Sequence, residues 1–415
     1  MEAYRRRVLD AVLDDLQPNL RAVVIQGAKG VGKTATAARR ARSVIRLDRE
    51  VERIAFAAEP EVIREMPGPV LLDEWQRWPE SWDVARRAVD DGVARGHLIL
   101  AGSSAPRGAT VHSGAGRIVP FRLRPMSLSE RGVDDPTVSL ADLLAGEATV
   151  RGATSLSLSD YAEQIVATGF PGIYAEPART RPALVDAYLE NLVQREFPEQ
   201  GYPVRKPEVL GAWMAAYAAA TSTTTGYGRI LDAATPGQGD KPARTTTMTY
   251  RDALSGLWVL DPLPAWLPTR NEFDRLASTP KHQLADPGLA ARLLRATGPS
   301  LVRGRHDHLL GPLFEHLVAL CVQVYAQPSG ATVSHLRTRN GDHEVDLVVE
   351  GPDGGVVAIE VMVTPTPTDG DLKHLRWLRG KLGDDLADAV VVTTGPRAYR
   401  RQDGIAVVPA ALLGP

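Results

Sequence analysis

The chain has 415 residues, 44% of them hydrophobic and 24% charged, with a formal net charge of −2. Such a length exceeds one small core and implies two to four domains. The composition is that of a soluble globular protein, and near-neutrality excludes a whole-chain attraction to nucleic acid or anionic lipid. The single cysteine, Cys321, excludes an internal disulfide and a multi-cysteine zinc site.

Taken in chain order, residues 4–16 predict a helix, with Val8, Leu9, Val12, Leu13 and Leu16 at helical spacing and Pro18-Asn19 as its stop. The apolar run Ala22-Val23-Val24-Ile25 predicts a strand. It leads into Gly27-Ala28-Lys29-Gly30-Val31-Gly32-Lys33-Thr34, which fits G-x-x-x-x-G-K-[ST]. Glycines at these positions let successive backbone N–H groups converge on one phosphate chain. Lys33 brings a cation to the outer phosphates, and the Thr34 hydroxyl is a Mg²⁺ ligand. A helix from Thr34 to Arg42 adds its positive dipole end. The pattern therefore predicts nucleoside-triphosphate binding. Lysine is scarce, seven residues among the 48 Lys and Arg, which makes Lys29 and Lys33 stand out.

A short strand is expected at Val44–Leu47 and stronger ones at Pro69–Asp73, His97–Gly102 and Ile118–Leu123, with a helix near Trp82–Asp91. Pro120 marks the last strand as an edge or a break. Apolar strands alternating with helices predict an α/β domain with a parallel sheet covered on both faces, over residues 1–150. Asp73 and Glu74 end an apolar strand. Beside a phosphate loop, Asp73 is placed to hold Mg²⁺ and Glu74 to orient and deprotonate the attacking water. Ser103 and Ser104 close the next strand, where a hydroxyl reaches the γ-phosphate or the water. Arg117 is the candidate arginine finger, with Arg122 and Arg124 competing for that role.

Residues 151–303 read as mostly helical, with helices at Leu158–Ala167, Ala183–Arg195, Val209–Thr221 and Tyr250–Ser255. A short strand pair near Leu257–Leu260 would suit a winged-helix-like module. From 304 to 415 the pattern changes. A helix at Leu313–Tyr325 precedes strands at Thr332–Arg339, Glu344–Glu350 and Val356–Val363, then a helix at Asp371–Leu382 and a strand at Ala389–Thr394. Asn340-Gly341 predicts a turn. Cys321, set in the apolar run 317–322, reads as a buried, inert thiol. His282, His306, His308, His316, His335 and His343 show no metal spacing and read as surface or polar-core residues. No signal core follows the N-terminus and no run approaches a membrane span, so a cytoplasmic protein is expected.

These motifs resemble those of prokaryotic AAA-type ATPases with a poorly characterised C-terminal region. The residues that carry the resemblance are Gly27–Thr34, Val70–Gln76, Leu100–Ser104, Gly116-Arg117-Ile118 and Arg124–Leu128. Gly169-Phe170-Pro171-Gly172, Thr279-Pro280-Lys281-His282 and Ala285-Asp286 follow later. The resemblance spans nearly the whole chain. It implies an AAA-type core, a helical middle region and a C-terminal domain like restriction endonucleases.

In that last domain, a five-residue turn at 351–355 that pairs 350 with 356 would set Asp346 opposite Glu360. Directly opposed like charges destabilise a hairpin. A divalent cation reverses the sign, and Glu315 would complete a second metal site with them. The arrangement resembles the PD-(D/E)xK nuclease site, except that Met362 stands where that pattern has lysine; Lys373 is the nearest replacement. Methionine neither transfers a proton nor offsets phosphate charge, so the domain is expected to hold rather than efficiently cut. The leading expectation is an ATP- and Mg²⁺-dependent ATPase that rearranges its C-terminal domain. A nucleotide-dependent binding switch and an active metal-dependent nuclease are the alternatives. The partner, whether DNA, RNA or a protein, and the choice between ring and monomer stay open at this level.

Overall fold

Successive residues of the first strands point into two different cores, and that alternation builds the first layer of the fold. The computed structural model describes residues 4–102, 114–202, 206–235, 244–267, 279–338 and 341–415. Strands β1 (Ala22–Gln26), β2 (Ser43–Arg46), β3 (Val70–Asp73), β4 (Leu98–Gly102) and β5 (Ile118–Arg122) form a parallel sheet in the order β2-β3-β4-β1-β5. Val23, Ile25, Leu71 and Ile99 enter the main core, while Val24, Leu72, Leu98 and Leu100 pack on the other side with Phe56 and Val84. Burial on both faces is why these strands read as continuous apolar runs. β5 is an edge strand, which accommodates Pro120.

Helices α1 (Val8–Leu16), α2 (Lys33–Ala38), α3 (Glu50–Ala58) and α4 (Glu80–Asp90) complete this part. α1 starts at Val8 rather than at residue 4, because the Asp10 carboxylate accepts the Arg7 backbone N–H at 2.7 Å and fixes the first turn there. α2 ends four residues before Arg42, and the chain enters β2 directly.

The middle region is helical at Leu158–Ala167, Arg181–Asn191, Pro207–Ala219 and Arg244–Gly256. The strand pair expected at Leu257–Leu260 does not form there. Trp258 takes a left-handed φ of 60° and turns the chain, so pairing begins later, as antiparallel bridges Leu260–Leu284 and Leu263–Lys281.

The C-terminal sheet has eight strands in the order β7-β13-β14-β12-β11-β10-β9-β8. Its centre is β9 (Thr332–Arg337), β10 (Glu344–Glu350), β11 (Val356–Met362) and β12 (Leu386–Thr393), followed by β13 (Arg397–Arg400) and β14 (Ala406–Pro409). The two outermost strands, β7 (Gly152–Ala153) and β8 (Ala265–Trp266), lie outside 304–415, so the sheet crosses the boundary that composition suggests. β6 (Val138–Ser139) also pairs with β15 (Leu413–Gly414). Asn340 of the expected turn lies outside the described residues.

The helix Leu310–Tyr325 covers one face of this sheet through Leu313, Leu317 and Leu320, and Leu372, Leu375 and Leu378 cover the other. Contrary to the expectation from sequence, Asp307–Tyr325 is long and apolar enough for a membrane span. It is a core helix here, with 72% of that window buried. Cys321 lies on it, and burial pushes its thiol up to about 11.

Candidate functional site: a phosphate loop and a lysine-filled carboxylate cluster

Because β1 to β5 run parallel, their C-terminal ends share one edge of the sheet, the usual place for a ligand in such folds. The glycine-rich loop leaves β1 at that edge. Gly27, Gly30 and Gly32 all have positive φ, and a Cβ on Gly27 would lie 2.2 Å from the Leu123 carbonyl oxygen. Lys33 is buried in the loop, its ammonium donating to the carbonyls of Gly27 at 2.9 Å and Ala28 at 3.0 Å. Burial pushes Lys33 down from its ordinary range.

β3, separated from β1 by β4, brings the acids. The Thr34 hydroxyl donates to Asp73 Oδ1 at 2.8 Å, so the two oxygens are placed to share one cation. Burial raises Asp73, with the Thr34 hydrogen bond acting against it. Glu74 adopts φ 53°, rare for a residue with a side chain, and accepts from the Gln76 amide at 2.5 Å. Ser103 lies outside the described residues, as does Ser104.

Arg117 does not reach this edge. It precedes Ile118, which pairs with Ala22 at the opposite end of the strands. Four strand steps, about 13 Å, separate that end from the loop, and its guanidinium is paired with Asp90. Arg122 and Arg124 are at the correct end, but both bind Asp261 of the middle region, each at 2.8 Å.

The later motifs of the chain gather behind the loop. Gly30 faces the Phe170 ring, and a Cβ there would sit 3.6 Å from it. The Gly169 N–H donates to Asp286 at 2.7 Å, and the Gly169 carbonyl accepts from Met126 N–H at 2.7 Å. Arg7 donates to the Val31 carbonyl at 2.9 Å and pairs with Glu130 at 3.1 Å.

The second site keeps the expected hairpin register. Glu350 pairs with Val356 and Leu347 with Ile359, a run that continues to Asp346 opposite Glu360. The acids are brought together around a lysine. Lys281, 1% exposed, lies 2.8 Å from Glu315, 3.0 Å from Asp346 and 3.2 Å from Glu344. It enters from the middle region; Lys373, the replacement suggested by proximity in sequence, is exposed. The second Asp346 oxygen accepts the Val361 N–H at 3.0 Å. Burial, then the adjacent Asp346 carboxylate, pushes Glu360 well up, and its Oε1 has no hydrogen-bond partner. Burial pushes Glu315 up to about 8.

As it stands the cluster seats an ammonium group. Among the described residues, no three His, Cys, Asp or Glu side chains are arranged to hold a metal ion. The expected second metal site at Glu315, Asp346 and Glu360 therefore does not fit this arrangement. The buried histidines are structural: His282, His316 and His335 bond to the carbonyls of Thr225, Leu284 and Thr279.

Sequence reasoning missed Lys281 as a site residue, together with Glu344. The only signal for Lys281 was a rare lysine inside a motif of the middle region.

Three stretches of the chain match known families. Residues 19–131 match the family described as an AAA domain. Residues 158–300 match one domain of unknown function (DUF8612) and residues 310–413 another (DUF4143). Two uncharacterized proteins, Rv2008c of Mycobacterium tuberculosis and Mb2031c of Mycobacterium bovis, are each 26% identical over 348 residues, 83% of this chain and 69% of the relative. The structure of the ORC2 protein of Aeropyrum pernix, in ADPNP–ADP complexes, covers 69% of this chain and 90% of its own, at 15% identity and a TM-score of 0.30. The N-terminal part of the chain is thus similar to AAA-type ATPase domains, on a parallel-sheet α/β fold.

Proposed function

We propose that the chain is a Mg²⁺-dependent ATPase whose turnover shifts the helical middle region and the C-terminal sheet against the phosphate loop. The loop amides and the Lys33 ammonium take the β- and γ-phosphates, the ammonium exchanging its two backbone carbonyls for phosphate oxygens. Thr34 and Asp73 would hold the magnesium ion, which when bound neutralises charge on the outer phosphate oxygens. Glu74, steadied by Gln76, orients the attacking water and takes its proton. The observation that carries this reading is the 2.8 Å contact of the Thr34 hydroxyl with Asp73 at the mouth of a loop already filled by Lys33. Glu74→Gln should keep MgATP binding and lower turnover by about 100-fold or more. Turnover equal to wild type would refute the assignment.

A second reading concerns the C-terminal part, which we infer binds a nucleic acid or a protein without cutting it. Met362 at the end of β11 favours binding over cleavage. Filter binding across a salt series tests the nucleic-acid version. Affinity that is absent, or indifferent to salt, in both nucleotide states leaves a protein as the partner.

A further inference from the structure

A cavity of about 270 Å³ opens between the phosphate loop and the helical arm of the middle region, lined by Lys29, Gly30, Tyr188, Asn191, Arg195 and Glu196. Lys29 is the third residue of the loop, and its side chain forms an ion pair with Glu196. A few residues on, Glu199 pairs at 3.1 Å with Arg77, which lies just beyond Glu74. Two acids of one arm therefore hold both halves of the nucleotide site, the loop and the segment after the catalytic acid.

The winding of the arm at that point is unusual. Leu192–Glu196 is a π-helical turn between the α-helices Arg181–Asn191 and Phe197–Glu199. π turns are rare, and a single one inside a helix often marks a working site.

We propose that Glu196 is a latch that reads the terminal phosphate: it holds Lys29 until the third phosphate of a bound triphosphate takes Lys29 away. This rests on the phosphate-loop reading above. Glu196 and the terminal phosphate are both anions competing for one ammonium group, and each repels the other. A diphosphate lacks that competing group and leaves the pair closed. Glu196 also lies close enough to Lys33 to act on its charge.

The π turn gives the released arm somewhere to go. A π turn holds one residue more than an α turn. Rewinding it as α advances the residues beyond it by about 100°, and this carries Arg195, near the end of the turn, most of the way to the angle that Glu196 holds. Arg195 lines the same cavity and makes no ion pair among the described residues. Opening the latch thus exchanges an acid for a guanidinium beside the new phosphate and displaces the Glu199–Arg77 contact.

The test is calorimetric titration of the full chain with Mg²⁺ and either ADP or a non-hydrolysable ATP analogue. Glu196→Gln should tighten the triphosphate about fivefold, the scale of one partly exposed ion pair, and leave ADP within about twofold. Arg195→Ala should weaken the triphosphate by a similar factor without affecting ADP. In a Lys29→Gln background, Glu196→Gln should lose its effect. Unchanged ADP binding in Glu196→Gln and Arg195→Ala shows that the fold and the loop are intact. Equal shifts for both nucleotides, or none for either, would overturn the latch alone. A wild type that binds neither nucleotide would overturn the phosphate-loop reading and the latch with it.

Discussion

Replacing Lys281 with methionine removes the charge at the centre of the carboxylate cluster and keeps much of the side-chain volume. Lys281 is buried within 2.8–3.2 Å of Glu315, Asp346 and Glu344. Removing one partner of a buried ion pair costs about 3–5 kcal/mol, because the remaining charge stays buried and unpaired. The carboxylates can relieve that cost by binding protons. In the wild type Glu315 already stands at about 8, pushed up by burial and then by Asp346, with Lys281 acting against both.

The sign follows from linkage. A carboxyl with a raised folded pKa binds protons that the unfolded chain releases above about pH 4.3, so stability falls as pH rises from 5 through 8. Without Lys281 the cluster must take up a further proton in place of the ammonium charge, and the fall steepens. The expected loss for Lys281→Met is about 3–5 kcal/mol at pH 8 and about 1–2 kcal/mol at pH 5.5. Urea unfolding followed by circular dichroism at the two pH values measures it. Adding Glu315→Gln should recover part of the loss at pH 8. A loss under about 1 kcal/mol at pH 8, or equal losses at both pH values, would refute the reasoning.

Two further outcomes follow from single contacts. Gly27→Ala sets a methyl group against the Leu123 backbone carbonyl at 2.2 Å, so the loop must open. Nucleotide affinity should fall at least tenfold and stability by about 2 kcal/mol, measured by titration and thermal melting. His316 and His335 are held down to about 4 by burial. Their contribution is complete above about pH 6.5 and is lost as pH falls toward 4, by up to about 3 kcal/mol each. Melting curves of the wild type and His316→Asn between pH 4.5 and 7 should diverge, the variant being the flatter.

The phosphate loop and the acids at the end of β3 were legible because local order fixes them: a glycine spacing and an apolar run ending in Asp73-Glu74. The hairpin of Asp346 and Glu360 was legible for the same reason, since the length of the 351–355 turn sets the register. Arg117 lies at the far end of the strands from the loop of its own chain, because nearness to a strand does not say which end of the sheet a residue occupies. Lys281 escaped because its partners, Glu315, Glu344 and Asp346, lie on other elements far along the chain, and no local periodicity links them. Glu196 escaped likewise: its partner, Lys29, is 167 residues away. The outer strands of the C-terminal sheet, β7 and β8, are two residues each, too short to leave an alternating pattern.

Titrating the pure chain with ATP in the presence of Mg²⁺, beside Lys33→Ala, bears most directly on the claim that this loop grips a triphosphate. The wild type should release heat that saturates at one nucleotide per chain, and Lys33→Ala should show none. A wild type without heat of association, or a Lys33→Ala variant that binds as well as the wild type, would contradict the account.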